Sequence, residues 1–360
     1  MNKRITRLGI GLVICYLALF VQLNRIQVFG AKRLTTNPEN FRAVQRDFDR
    51  PRGIIASADQ VVLARSVETP ESSYERLRQY PEGDLFANVT GFFSLEFGAE
   101  GAEDAFNEEL AGSSARQRYQ SVQDLLVDRD HSGDVILTVR KDVQAAAKAA
   151  LGERRGSVVV MDPRSGAVLA LWSWPSYDPN LLSSHDLAAV KQNRAALLAA
   201  PDQPMLARSY RERYPPGSTF KVVTAAAGLQ SGRVTLEAPV FPPTAGYIPP
   251  ASSQPIANFG GATCGGNLAE ILRVSCNTAF AALGAEVVGP QQMVASAADF
   301  GFNVRTPFDL AGAASPVFPT DFGKLISGAG GAKSVYENSA ALAQASIGQN
   351  DVAAALWLWP

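Results

Sequence analysis

Histidine is nearly missing from this chain. The two present, His131 and His185, lie far apart, and no cluster of cysteine and histidine has the spacing of metal ligands. Metal catalysis and a Ser-His-Asp triad therefore both lack their material. Cysteine is almost as scarce, at three residues. Neither sign of charge is in excess: the formal net charge is -1 over 360 residues, which removes the electrostatic case for a nucleic-acid partner. Internal repeats and low-complexity runs are missing as well. What remains, 46% hydrophobic and 19% charged, is the composition of a folding chain. Its length leaves room for two domains and at least one sizeable core.

The N-terminus holds a long uncharged run. Lys3, Arg4 and Arg7 precede LGIGLVICYLALFVQL, Leu8 to Leu23, and RIQVFG continues to Gly30. The run alone is slightly short of the ~20 residues that cross a bilayer, and residues 24–30 extend it by snorkelling. Positive charges ahead of it place residues 1–7 in the cytoplasm and everything after about Gly30 outside, a single-pass protein of the plasma membrane. A cleaved signal peptide is the rival reading. VFGA at 28–31 is a poor small-residue cleavage site, which favours an uncleaved anchor over residues 1–30. Cys15 then sits in the anchor, while Cys264 and Cys276 lie outside, where disulfides persist. Those two either pair with each other or remain as thiols.

From Ala31 to about Arg154 the texture is mixed and polar, with short strand-like pieces GIIAS and VVLARS. DVILTVR (134–140) reads as a strand and KDVQAAAKAALGERR as a helix. The texture changes near Arg154–Gly156. GSVVVMD, the turn Pro163-Arg164-Ser165-Gly166 and AVLALWSWPS predict a β-hairpin. Helical patterns follow in LAAVKQNRAALLAA and after Ser218. A Pro- and Gly-rich loop is expected over 239–266, then further helix in NLAEILRVSCNTAFAALGAEVV. Hairpin, helices and later strands predict an α+β unit, a helical subdomain beside an antiparallel sheet.

The chemistry concentrates in RERYPPGSTFK (211–221). Two prolines and a glycine punctuate a loop, and the VVTAAAGL that follows is apolar on every side, the pattern of a buried helix. Residues three apart share a helix face, so Ser218 and Lys221 point the same way. The plain alternative is a serine N-cap with a lysine reaching for water. A serine hydroxyl is a poor nucleophile without a base, and without histidine a lysine kept neutral by burial can serve. The helix N-terminus would add N–H groups for an oxyanion site. Ser218-Thr219-Phe220-Lys221 is the only Ser-x-x-Lys in the chain, and Ser275-Cys276-Asn277, downstream of it, is the only Ser-x-Asn. The latter also suits a helix break at which Ser275 or Asn277 caps the second helix.

Together, and in this order, the two motifs resemble those of the penicillin-binding-protein and serine β-lactamase superfamily. RPRGIIASADQ (50–60), YPEGDLFANVTGFFS, GAEDAFNEELAG, the hairpin sequence and YPPGSTFK are similar to class B high-molecular-weight penicillin-binding proteins of the actinobacterial elongation or division type. The resemblance implies a serine β-lactamase/transpeptidase-like α+β domain over 155–360, standing on an elongated α+β dimerisation or pedestal domain over 31–154. It implies peptidoglycan cross-linking without a cofactor. Ser218 would attack the D-Ala–D-Ala bond of a stem peptide with Lys221 as base, Ser275 would relay the proton, and Asn277 would hold the substrate or orient Lys221. β-Lactams would trap Ser218. The partners implied are peptidoglycan stem peptides, the lipid-linked precursor, a membrane glycosyltransferase and other division or elongation proteins.

One motif of that superfamily is missing. No Lys-Thr-Gly or Lys-Ser-Gly occurs, and Arg164-Ser165-Gly166 and His131-Ser132-Gly133 stand before Ser218, in the wrong order. ALAQASIGQNDVAA is similar to the family, and LWLWP follows it. The expectation is thus a member truncated before its third motif, with an incomplete sheet and little turnover. A non-catalytic, membrane-anchored scaffold is the second reading. A secreted β-lactamase is the third, disfavoured because it needs neither anchor nor pedestal.

Overall fold

The computed structural model describes residues 3–25, 48, 50–70, 72, 74–112, 132–305, 307–327 and 335–356. A helix spans Lys3–Asn24. Its apolar side chains are exposed: Ile10, Ile14, Leu17 and Val21 all are, and Tyr16 reaches 76%. Among the described residues no helix is long and apolar enough to cross a membrane. Residues 26–30, which the expected anchor also requires, lie outside the described residues.

The first folded unit is a four-stranded sheet. Val62–Glu68 pairs antiparallel with both Arg76–Gln79 and Ile55–Ala56, and Ile55–Ala56 pairs parallel with Val135–Ile136. The strand expected over 134–140 is therefore shorter than its pattern. Past Leu137 the regular ladder stops: Val139 O still accepts from Ala58 N–H, and the Arg140 N–H turns to Leu169 O of the hairpin. Beneath the sheet lies a buried charge cluster. Glu103 accepts from Arg52 Nε at 2.7 Å and from Arg78 Nε at 2.6 Å, with all three side chains almost fully enclosed. Burial pushes the Glu103 carboxyl up, but the two guanidiniums together hold it below the usual carboxylate range.

The helix Lys141–Leu151, ended by Gly152 at φ 61°, joins this unit to the hairpin. Its buried Gln144 donates to Leu85 O and Leu171 O and accepts from the Leu171 N–H. The hairpin forms as expected, Gly156–Met161 against Val168–Trp174, and Gly166 takes the left-handed conformation its turn requires. One apolar cluster serves both sides of this junction. Ile55, Leu63, Tyr80, Phe86 and Leu110 pack with Leu171, Tyr210, Leu310 and Ala355. Among the described residues, the later strands Leu325–Ser327 and Val335–Tyr336 pair only with each other.

The helical unit has its own core, in which Phe220, Val223, Ile271, Phe280, Leu283, Met293 and Leu342 meet. Two expectations change here. The helix Lys221–Gln230 is not covered on every side: Val222 and Leu229 are exposed, because its helical neighbours lie on one flank. The stretch 239–266 is not plain loop. Phe241–Thr244 pairs with Cys264–Gly266, and Gly246–Tyr247 with Ile256–Ala257. Isolated two-stranded ladders tolerate the prolines at 242 and 243, which a central strand would not. Gly265 makes the first ladder possible, since a Cβ there would lie 2.6 Å from Phe241 O.

Candidate active site

Ser218 does not cap a helix. It lies inside a short 3-10 turn, Gly217–Phe220, that runs directly into the helix Lys221–Gln230, and no side chain caps either segment. The tighter turn still leaves residues 218 and 221 on one face. Ser218 is exposed, whereas Lys221 is 1% exposed. A buried lysine needs partners, and this one has four oxygens around Nζ. They are Asn277 Oδ1 at 2.6 Å, Ser275 O at 2.7 Å, Ser275 Oγ at 2.9 Å and Ser218 Oγ at 3.2 Å.

The Ser-x-Asn segment owes its shape to a helix break. The helix Leu268–Arg273 ends, Ser275 takes a left-handed φ of 55°, and the helix Asn277–Ala282 begins with Cys276 as its uncapped N-cap. Positive φ is costly for a serine, and such strain persists only where the surroundings enforce it. Here the Ser275 carbonyl accepts from Lys221, and Cys276 N–H is held by Ile271 O. Cys276 is also bonded to Cys264 in a disulfide, which decides between the two sequence readings of that pair. The Asn277 amide donates through Nδ2 to Ala257 O at 3.0 Å, which leaves Oδ1 for the lysine. The buried Asn258 next to it accepts from Thr278 N–H and donates to Thr244 O and Ala262 O.

Donor counting restricts the protonation chemistry. Ser275 O and Asn277 Oδ1 can only accept, so they use two N–H bonds of Lys221. A neutral amine then has one lone pair left, facing the two hydroxyls. Burial lowers the Lys221 pKa from 10.5 to about 8, so the neutral form is within reach near physiological pH. The cluster can thus take a proton from an exposed serine hydroxyl.

All four residues expected at the site, Ser218, Lys221, Ser275 and Asn277, come together. Arg164-Ser165-Gly166 forms the hairpin turn, where Arg164 pairs with Asp162. His131 of the other look-alike lies outside the described residues. His185 is occupied elsewhere, between Ser72 Oγ and Arg76 O. One contributor was not foreseen, the segment Ser346–Gly348 behind the Ser218 turn. Gly217 N–H donates to Gly348 O at 2.9 Å, and Thr224 Oγ1 donates to Ser346 O at 2.7 Å. Its sequence signal was a glycine just past a helical pattern.

Two family models match this chain: the penicillin binding protein transpeptidase domain over residues 156–354, and the penicillin binding protein A dimerisation domain over 52–136. The chain belongs to the penicillin-binding protein transpeptidase family. Among its relatives, peptidoglycan D,D-transpeptidase PbpA of Mycolicibacterium smegmatis is 38% identical over 364 residues, covering 98% of this chain and 70% of the relative. PbpA of Mycobacterium tuberculosis is 36% identical over the same shares. The imipenem acyl-enzyme complex of penicillin-binding protein A from M. tuberculosis has a similar fold, with a TM-score of 0.74 and 34% identity over 87% of this chain and 70% of that one. As a penicillin-binding protein, the chain has the transpeptidase-like α+β architecture expected of it.

Proposed function

We propose that Ser218 is the acylated nucleophile of a peptidoglycan D,D-transpeptidase, with Lys221 as its base. The observation that carries this reading is the convergence of Ser218 Oγ, Ser275 Oγ and Asn277 Oδ1 on one buried amine. As Ser218 Oγ attacks the carbonyl of the penultimate D-alanine, its proton passes to neutral Lys221 Nζ. The tetrahedral adduct collapses to an ester. The Ser275 hydroxyl relays the proton to the nitrogen of the departing D-alanine, and Asn277 holds Nζ in line. An amine of a second stem peptide then attacks the ester, loses a proton to the same relay and restores the Ser218 hydroxyl. A β-lactam carbonyl enters the same first step and leaves Ser218 acylated.

Residues 155–360 form the transpeptidase unit in this reading and 31–154 the pedestal, where a membrane glycosyltransferase and other division or elongation proteins would dock. Residues 1–30 anchor the chain with its N-terminus in the cytoplasm, supported by the basic flank and the exposed apolar face of the helix Lys3–Asn24. A reporter active only in the cytoplasm, fused after Arg154, stays silent on this topology; strong signal reverses it.

Labelling with a fluorescent penicillin tests the catalytic assignment. The chain should label covalently and the Ser218→Ala variant should not. Undiminished labelling of that variant removes Ser218 from the role. A non-catalytic scaffold of the same family is the second reading. That reading expects no labelling of either protein.

A further inference from the structure

We infer that Gly348 is a positioning residue for the nucleophile, setting the Ser218 turn against Lys221 by direct backbone contact. The inference rests on Ser218 being the acylated group. The helix Ser339–Ala345 ends in a two-bond cap: Gly348 N–H donates to Ala345 O, and Gln349 N–H to Gln344 O. This pattern needs a left-handed residue between them, and Gly348 supplies it at φ 70°. The turn carries the Gly348 carbonyl away from its own helix and onto Gly217 N–H, 2.9 Å away and one residue before Ser218.

A helix cap alone would explain the positive φ. It does not explain the contact on the other side. A Cβ on Gly348 would lie 2.2 Å from Gly217 O, 2.8 Å from Gly217 N and 2.8 Å from Phe220 Cβ. Two of those atoms belong to the backbone of the 3-10 turn, so no side-chain rotation relieves the clash. Gly217 is itself left-handed, at φ 57°, and its own Cα faces open space, so the turn is free to be pushed that way. The rest of the segment is tightly held. Thr224, one helical turn past Lys221, donates to Ser346 O, and Gly284 passes so close to Ser346 that a Cβ there would overlap its Oγ. On either side of Ser218, therefore, the turn is referenced to 346–348 and Lys221 to the same segment through Thr224. Displacing Gly348 moves one against the other.

The effect expected of Gly348→Ala is a fall of about 10²-fold in the first-order rate of acylation by a β-lactam, with its non-covalent dissociation constant little changed, as for a misplacement near 1 Å. Thr224→Val, which removes a hydrogen bond and adds no clash, should lower the same rate by about 10-fold. Ala343→Gly destabilises the same helix and adds no atom near Gly217, so it should lower the melting temperature and leave the acylation rate intact. Hydrogen exchange at the Gly217 amide supplies a readout independent of activity, with faster exchange expected in Gly348→Ala. A wild-type acylation rate with unchanged Gly217 exchange in Gly348→Ala overturns the inference. So does an equal loss of rate in Ala343→Gly, which would make the effect one of stability only. Labelling that survives Ser218→Ala instead overturns the assignment of the nucleophile, a different result from either.

Discussion

In the proposed mechanism, Lys221 is where burial becomes reactivity. Its amine is held by two obligate acceptors, so a third proton on nitrogen must be shared with hydroxyls that also need donors. Acylation should therefore rise with pH through about 8 and then level off. Lys221→Ala should flatten that profile and lower the rate by on the order of 10²–10⁴. A profile that keeps its inflection in the variant would assign the titration to another group. Stability carries the same signature. The folded protein releases this proton at about 8, while an ordinary lysine keeps it to 10.5. Between those values the unfolded chain holds more protons, so this group makes the fold more stable as pH rises. Ser218 and Lys221 were legible in sequence because a spacing of three puts them on one face, whereas Ser275 and Asn277 were legible only through the resemblance of the motif order. The left-handed φ of Ser275 was not legible, nor was the contact of Gly348 with Gly217, because each depends on a segment distant in sequence.

At the scale of elements, legibility followed the range of the interaction. The hairpin carries its own turn signal and the helices Lys141–Leu151, Leu187–Ala199 and Lys221–Gln230 their own residue pattern, and they appear where those signals stand. The ladders within 239–266 carry none. The outer one, Phe241–Thr244 with Cys264–Gly266, exists because Gly265 admits the Phe241 carbonyl and because Cys264 is tied to Cys276. That bond fastens the outer ladder to the residue between Ser275 and Asn277. By loop-closure entropy a bridge of 12 residues stabilises by ~3 kcal/mol. Reduction under native conditions should lower the melting temperature by roughly 6–12 °C, taking about 2–4 °C per kcal/mol for a domain near 200 residues. It should also slow acylation by releasing Asn277 from its fixed approach to Lys221. Unchanged melting and acylation after complete reduction, verified by thiol titration, would show that the ladder holds the motif without the bond.

Across the whole molecule, the two units share one apolar cluster and a hydrogen-bonded seam. Tyr80 N–H donates to Asn180 Oδ1 and Asn180 Nδ2 to Tyr80 O, both at 2.9 Å, while Gln144 stitches Leu85 to Leu171. Two units joined in this way should unfold together. Glu103 tests this from one end, because it lies in the first unit, far along the chain from Ser218. Glu103→Gln keeps the shape but leaves Arg52 and Arg78 buried without their counter-charge, a defect that costs about 3–5 kcal/mol. If the units unfold as one, that cost falls on the entire structure. Loss of helical circular dichroism and loss of penicillin labelling should then move down in temperature by the same interval, although Glu103 has no contact with the catalytic cluster. If only the first unit feels the change, proteolysis within 52–112 will begin at lower temperature while labelling keeps its original midpoint. That divergence would show the shared apolar cluster to be a contact between independent domains. Coincident shifts would mean that the first unit sets the thermal limit of the site in the second.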